Sequence, residues 1–438
     1  MSQLFAFLIG ISFVIDVTLG GRFRLAEIIF LGVVPFYSKS LLAIAKLKRG
    51  RWFLGAAVLY CASIVISEWH NGTSILSFGK SIAKPVLIVT YVTVFYSWFV
   101  KDRRILGYWL VGVAVGALAR FWYVSSYISM DTEYNEFVFR YEPMVIGWLC
   151  AVLWFQWKRL PAVCVALLFL MSCALVTFTT RNSVATLMLA GLLLLLRASV
   201  RGGGEASVAR LRGYLRRVIY IGGLACVALY CGYVYLAPRG YLGELQKGKF
   251  LTESQTAYGA TPWGLLAADR SSVVGAILGI FDHPLVGNGS ENPKIMDYQI
   301  RAMMDAKIGV DGESAKQLIE ARSGAGHSII FGEWMLYGVL AAVFWIICLR
   351  MVVECGMVFL WNNDALLGIY VLLLLIFAWA FIFSPLTVEL RMYIGLLLAI
   401  AIGVELEMGS GRIGVGANGN GMPRAMARRG GGNLNRGP

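Results

Sequence analysis

Long apolar runs, separated by short and mostly basic breaks, dominate the pattern along this chain. About twelve of them approach the roughly 20 residues that a helix needs to cross a bilayer. They lie at residues 3–19, 24–44, 52–69, 81–100, 104–128, 142–156, 160–178, 182–197, 218–236, 328–349, 365–383 and 387–404. The pattern predicts an all-α, polytopic membrane protein with about 12 transmembrane helices. Pro35 is expected to kink the second run, and an amphipathic piece near Glu68 to Lys84 is expected to lie along the outer surface. One long polar excursion interrupts the series, and within it residues 294–307 and 313–322 carry apolar positions at helical spacing. A connection of that length with internal periodicity reads as a folded cap. The expected organisation is therefore helices one to nine over residues 1–236, a helical cap loop over 237–327, and helices ten to twelve over 328–408. Residues 409–438 form a basic, Gly-rich tail expected to be disordered.

Composition supports this picture: 58% of residues are hydrophobic and 15% charged, against roughly a quarter charged in soluble domains. The net charge of +14 gathers in short loops, at Lys46, Lys48, Arg49 and Arg51, at Lys101, Arg103 and Arg104, and between Arg197 and Arg217. Such clustering is the signature of cytoplasmic loops, so both termini are expected in the cytoplasm and the cap on the opposite side. The positive balance is thus assigned to topology, and no nucleic-acid partner is expected. Eight cysteines sit in or beside apolar runs with no CxxC spacing, and three dispersed histidines form no HExxH. Neither disulfides nor a metal is expected.

Ionisable residues inside or at the edge of apolar runs are functional candidates by default. Arg120 lies within the fifth run, Arg140 and Glu142 open the sixth, and Arg181 opens the eighth. Glu333 lies early in the tenth, while Glu389 and Arg391 open the twelfth. Arg270 and His327 belong to the cap and its exit. Arginine stays charged and offers a planar fork for phosphate oxygens, so several of them on one side suit an anion. A neutral imidazole at His327 suits a general base. Glu333, six residues later, points about 120° away around a helix and is a poor partner for it. The GNG of residues 287–289 reads as turn chemistry, since no strand-to-helix context surrounds it.

Three stretches resemble the superfamily of O-antigen ligases and Wzy-type polysaccharide polymerases. They are TTRNSVATLMLAGLLLLL from Thr179, DRSSVVGAILGIFDHPLVGNGS from Asp269, and GHSIIFGEWMLYGVLAAVFW ending at Trp345. The resemblance implies a GT-C-like architecture in a bacterial inner membrane, with the cap and active site facing the periplasm. It implies metal-independent, inverting transfer of a glycan from an undecaprenyl-diphosphate carrier to a sugar hydroxyl. His327 would be the catalytic base. Arg181, Arg270 and Arg140 would hold the diphosphate, with Glu142, Glu389 and Arg391 in support and no cofactor. Polymerisation of lipid-linked repeat units into surface polysaccharide is the leading expectation, and ligation onto lipid A-core the alternative. Membrane lipids, a chain-length regulator and a flippase are the implied partners. Two other readings stay open: from a different class, a transporter or flippase of lipid-linked sugars, and a lipid-phosphosugar glycosyltransferase using an outer acidic residue such as Asp16 or Asp131 as base.

Overall fold

The computed structural model describes residues 2–18, 22–127, 142–176, 181–199, 230–241, 243–254, 271–305, 328–362 and 364–409, with isolated positions between them. Apart from one short hairpin, these residues build an all-helical bundle. Helix α1 (Ser2–Ser12) ends in a two-stranded antiparallel hairpin, β1 (Asp16–Thr18) and β2 (Arg22–Arg24). Helix α2 (Leu25–Val33) passes through a 3₁₀ turn containing Pro35 into α3 (Ser38–Lys46). Then come α4 (Lys48–His70), α5 (Ile75–Lys101) and α6 (Arg103–Tyr127), followed by α7 (Glu142–Gln156), α8 (Pro161–Val176) and α9 (Arg181–Ser199). Among the described residues of the polar excursion are three short helices: α10 (Glu244–Ser254), α11 (Ser271–Asp282) and α12 (Lys294–Asp305). The chain closes with α13 (Ile329–Tyr337), α14 (Val339–Asn362), α15 (Leu367–Phe383) and α16 (Val388–Gly409). The segment 313–322 and the tail beyond Gly409 lie outside the described residues.

The expectation of about 12 membrane spans is corrected. Among the described residues, four helices are long and apolar enough to cross a membrane: Leu25–Lys46, Lys48–His70, Ile75–Lys101 and Val339–Asn362. Two physical reasons account for the difference. Several apolar runs are broken. The first run yields an 11-residue helix, rising only about 17 Å before the hairpin turns the chain back. The run 328–349 is interrupted at Gly338. Other runs are apolar because protein surrounds them. From Leu396 to Ile402, α16 is buried at every position, and a helix buried on all sides is hydrophobic all round whether it lies in a core or in lipid. The cytoplasmic termini rest on the alternation of twelve spans, and the GT-C-like architecture, the multi-pass inner-membrane localisation and the periplasm-facing site rest on the resemblance together with that count. They fall with that count, as does the description of the chain as a twelve-span membrane glycosyltransferase.

Close approaches between helices are made by glycines. α1 crosses α6 where a Cβ on Gly10 would stand 2.3 Å from the Trp109 carbonyl oxygen and one on Gly112 2.1 Å from that of Phe7. α16 lies along α5, with Gly395 against Tyr91 and Gly403 against Phe99. The central layer is aromatic: Tyr60 stacks on Phe344 at 4.9 Å, and Phe95 meets Trp109 at 4.7 Å.

Candidate functional site

Among the described residues, two clusters hold charges that are almost fully buried, and a glycine-rich loop completes one of them. Gly338 separates α13 from α14 at φ +85°, and a Cβ there would stand 2.0 Å from the Leu285 carbonyl oxygen. Only glycine tolerates both the left-handed backbone and that contact. The break leaves the last carbonyls of α13 without helical donors, and buried carbonyls need replacements. The loop after α11 supplies them. The Asn288 amide donates to Met335 O at 2.8 Å and the Gly289 amide to Leu336 O at 2.9 Å. Ser67 Oγ also donates to Leu336 O, at 2.7 Å, and Ser63 Oγ donates to Tyr337 O. Trp334 Nε1 reaches back to Pro284 O at 2.7 Å. The GNG of 287–289 is thus more than a turn: it splices a broken helix.

Beside the splice runs a chain of side-chain hydrogen bonds. Tyr60 donates to Glu333, and Lys84 Nζ lies 2.9 Å from the other Glu333 oxygen. Lys84 also donates to the Tyr337 hydroxyl at 3.2 Å. Tyr337 donates to Ser81 at 2.8 Å, and Ser81 to Glu68 Oε1 at 2.6 Å. The Ser290 amide closes the chain on Glu68 Oε2 at 3.2 Å. Glu68, near the end of α4, is 2% exposed, but most residues from Trp69 to Lys80 are exposed. The stretch from Glu68 to Lys84 is therefore a helix end, a turn and a helix start at the surface rather than one continuous amphipathic piece. Outside the bundle, Glu291 accepts from the Ser74 amide at 2.8 Å and from the Ser74 and Ser77 hydroxyls. These serine donors hold the Glu291 carboxyl down at about 2.

The second cluster joins the chain's two ends. Glu27 is fully buried. It accepts from the Arg24 amide at 3.0 Å, from the Tyr91 hydroxyl, and from Arg391 Nη2 at 3.0 Å. Arg24 pairs with Glu389 and donates to Val14 O at 3.3 Å. Arg120 lies within electrostatic reach of Glu389.

Of the expected site residues, Glu389 and Arg391 fall in one cluster, each paired with a partner from the first turns of the chain. Arg181 and Glu142 are the first residues of α9 and α7. His327, Arg270 and Arg140 lie outside the described residues, as does Asp131. The sequence reading missed Arg24, Glu27, Tyr60, Glu68 and Lys84 as charge partners. Glu27, Glu68 and Lys84 were visible as charges near the ends of apolar runs, but only the fold joins them to their partners. Among the described residues no three His, Cys, Asp or Glu side chains gather as a transition-metal site would require.

No family model and no curated protein matches this chain.

Proposed function

We propose that the chain transfers a glycan from a polyprenyl-diphosphate carrier to a sugar hydroxyl, extending a lipid-linked polysaccharide. His327 takes the proton of the attacking hydroxyl. Arg181, Arg270 and Arg140 offset the charge that develops on the departing diphosphate. Attack from the face opposite the leaving group inverts the anomeric carbon.

One observation carries the reading: stretches that resemble the polymerase and ligase superfamily interlock. The PLVGNG loop docks on the break at Gly338, α11 packs on α13, and both α13 and α9 rest on α15. Ser328, which caps α13 by accepting from the Phe331 amide at 3.2 Å, donates to Phe381 O of α15 at 3.1 Å. In sequence, Arg270 immediately precedes α11, His327 precedes that cap, and Arg181 opens α9. A reaction that uses these three residues therefore draws on helices tied to one another.

The test is product formation by the purified full chain with a lipid-linked oligosaccharide. A ladder of longer lipid-linked products is expected, lost in His327→Ala and strongly reduced in Arg270→Lys, because an ammonium does not replace a bidentate fork. Wild-type product from His327→Ala would overturn the base assignment. A single glycan moved onto a lipid A acceptor, with no ladder, would replace polymerisation by ligation.

A further inference from the structure

Three helix C-termini meet at the loop between α11 and α12. Asn71, which follows α4, donates from Nδ2 to Ser67 O at 2.8 Å and to Gly287 O at 3.3 Å. Asn288 donates from Nδ2 to Gly279 O of α11 at 3.0 Å and to Met335 O of α13 at 3.1 Å. Each helix end carries about half a negative charge, so the junction is electronegative before any side chain is counted.

The side chains add to it. Glu333 and Lys84 neutralise one another at 2.9 Å, which leaves Glu68 as the surplus charge. Every group bonded to Glu68 is neutral, namely Ser81 Oγ and the Ser290 amide. The nearest ammonium along the hydrogen-bond chain, Lys84, is separated from it by the Tyr337 and Ser81 hydroxyls. A carboxylate that is 2% exposed and lacks an ion-pair partner among the described residues is costly. The other acids at the junction, Asp282 on the Tyr298 hydroxyl and Glu291 on Ser74 and Ser77, are exposed, so water screens their charge.

Two further oxygens of this loop are buried without a hydrogen-bond partner among the described residues: Asn288 Oδ1, on a residue that is fully buried, and Ser290 Oγ. The orientation of Asn288 is fixed, because its amide nitrogen faces two carbonyl acceptors, so the orphan atom is the oxygen. Ser290 Oγ belongs to the residue whose amide already touches Glu68 Oε2.

We propose that this junction binds a small monovalent cation, with the Glu68 carboxylate as its anionic ligand and Ser290 Oγ and Asn288 Oδ1 as neutral oxygen ligands. One surplus charge sets the valence, since divalent calcium sites are built from several carboxylates. The cation would tie the end of α4 to the loop that splices α13 to α14.

The purified full chain, heated in sodium chloride and in choline chloride at equal ionic strength, tests this directly. Sodium is expected to raise the unfolding midpoint by several degrees and to saturate, because a ligand that binds only the folded state stabilises it. The chain should also retain radioactive sodium in equilibrium dialysis. Glu68→Gln keeps a carbonyl oxygen for the Ser290 amide and turns its NH2 toward the Ser81 hydroxyl, which can accept, so it should fold in choline yet lose both sodium effects. Ser290→Ala should weaken sodium binding about tenfold, the scale of one lost oxygen contact. Equal wild-type midpoints in the two salts would overturn the site. So would a full sodium effect in Glu68→Gln, or stabilisation by calcium but not by sodium.

Discussion

The two buried clusters solve one problem in different ways. Around Glu27 charge meets charge: two glutamates face two arginines, with Arg24 of the hairpin paired to Glu389 of α16 and Glu27 of α2 bonded to Tyr91 of α5 and Arg391 of α16. Around Glu333 one lysine serves a chain in which hydroxyls, loop amides and a deliberate helix break do the remaining work. The first cluster depends on ionic pairing in a dry setting, where removal of either partner leaves a stranded charge. The second depends on backbone geometry, so its weakest point is a glycine rather than an ion. The sharpest way to separate the two is to damage each at the feature it relies on.

The largest effect is expected at Gly338. Alanine there must hold φ +85° and bring a Cβ to 2.0 Å from a backbone oxygen that has no flexible end to move. Strain and lost splice bonds together should cost about 4 kcal/mol or more, read as a collapse of the unfolding midpoint. A Gly338→Ala chain within about 1 kcal/mol of wild type would show that the break is not what organises the Glu333 cluster.

Next comes Glu27. Glu27→Ala strands Arg391 and frees the Tyr91 hydroxyl, and removing one member of a buried pair costs roughly 3–5 kcal/mol. Arg391→Met alone should be comparably harmful, while the double variant should recover at least about 1 kcal/mol of the summed loss. Additive losses in chemical denaturation would mean that the pair is not coupled. Lys84→Met should do less, about 1–3 kcal/mol, because the Lys84 side chain is 22% exposed and water can screen the Glu333 left behind. If Lys84→Met proved worse than Glu27→Ala, the ranking of the clusters would be reversed.

This ranking also explains what was legible in the chain. Glu389 and Arg391 stood out because charge at the edge of an apolar run is rare, but their partners Arg24 and Glu27 are more than 360 positions away. No spacing rule connects residues that far apart. The turn character of Gly287 to Gly289 was readable, whereas its docking on Leu336 and Gly338 was not, since one hydrogen-bonded loop looks like another in sequence. The span count failed for a related reason. Hydropathy reports that a helix avoids water without saying what replaces it, and for α16 the replacement is protein, including Tyr91 and Phe99 packed on its glycines. Composition foresaw the helical architecture; it could not foresee how apolar runs would be broken or buried.

The smallest effect lies at the rim, where Glu291 anchors the splice loop to the start of α5. Its carboxyl is held at about 2, below the ordinary 4.5, first by the Ser74 and Ser77 hydroxyls and then by the Ser74 amide, with Lys80 adding a weaker pull. A group whose folded value is depressed contributes above its unfolded value and loses that contribution as pH falls through the folded one. The anchor should therefore be whole above pH 4.5 and fade between 4.5 and about 2. Comparing wild type with Glu291→Gln across that window isolates it, because all other titrating groups are shared. The difference in unfolding midpoint should be constant at higher pH and shrink toward zero at the acidic end. The Ser74 amide, which donates to Glu291 at 2.8 Å, should exchange its hydrogen faster in the variant above pH 4.5. A midpoint difference that instead widened on acidification would assign the loop's attachment to the bonds at Glu68 and Leu336, and leave Glu291 as a solvated side chain with no hold on the splice.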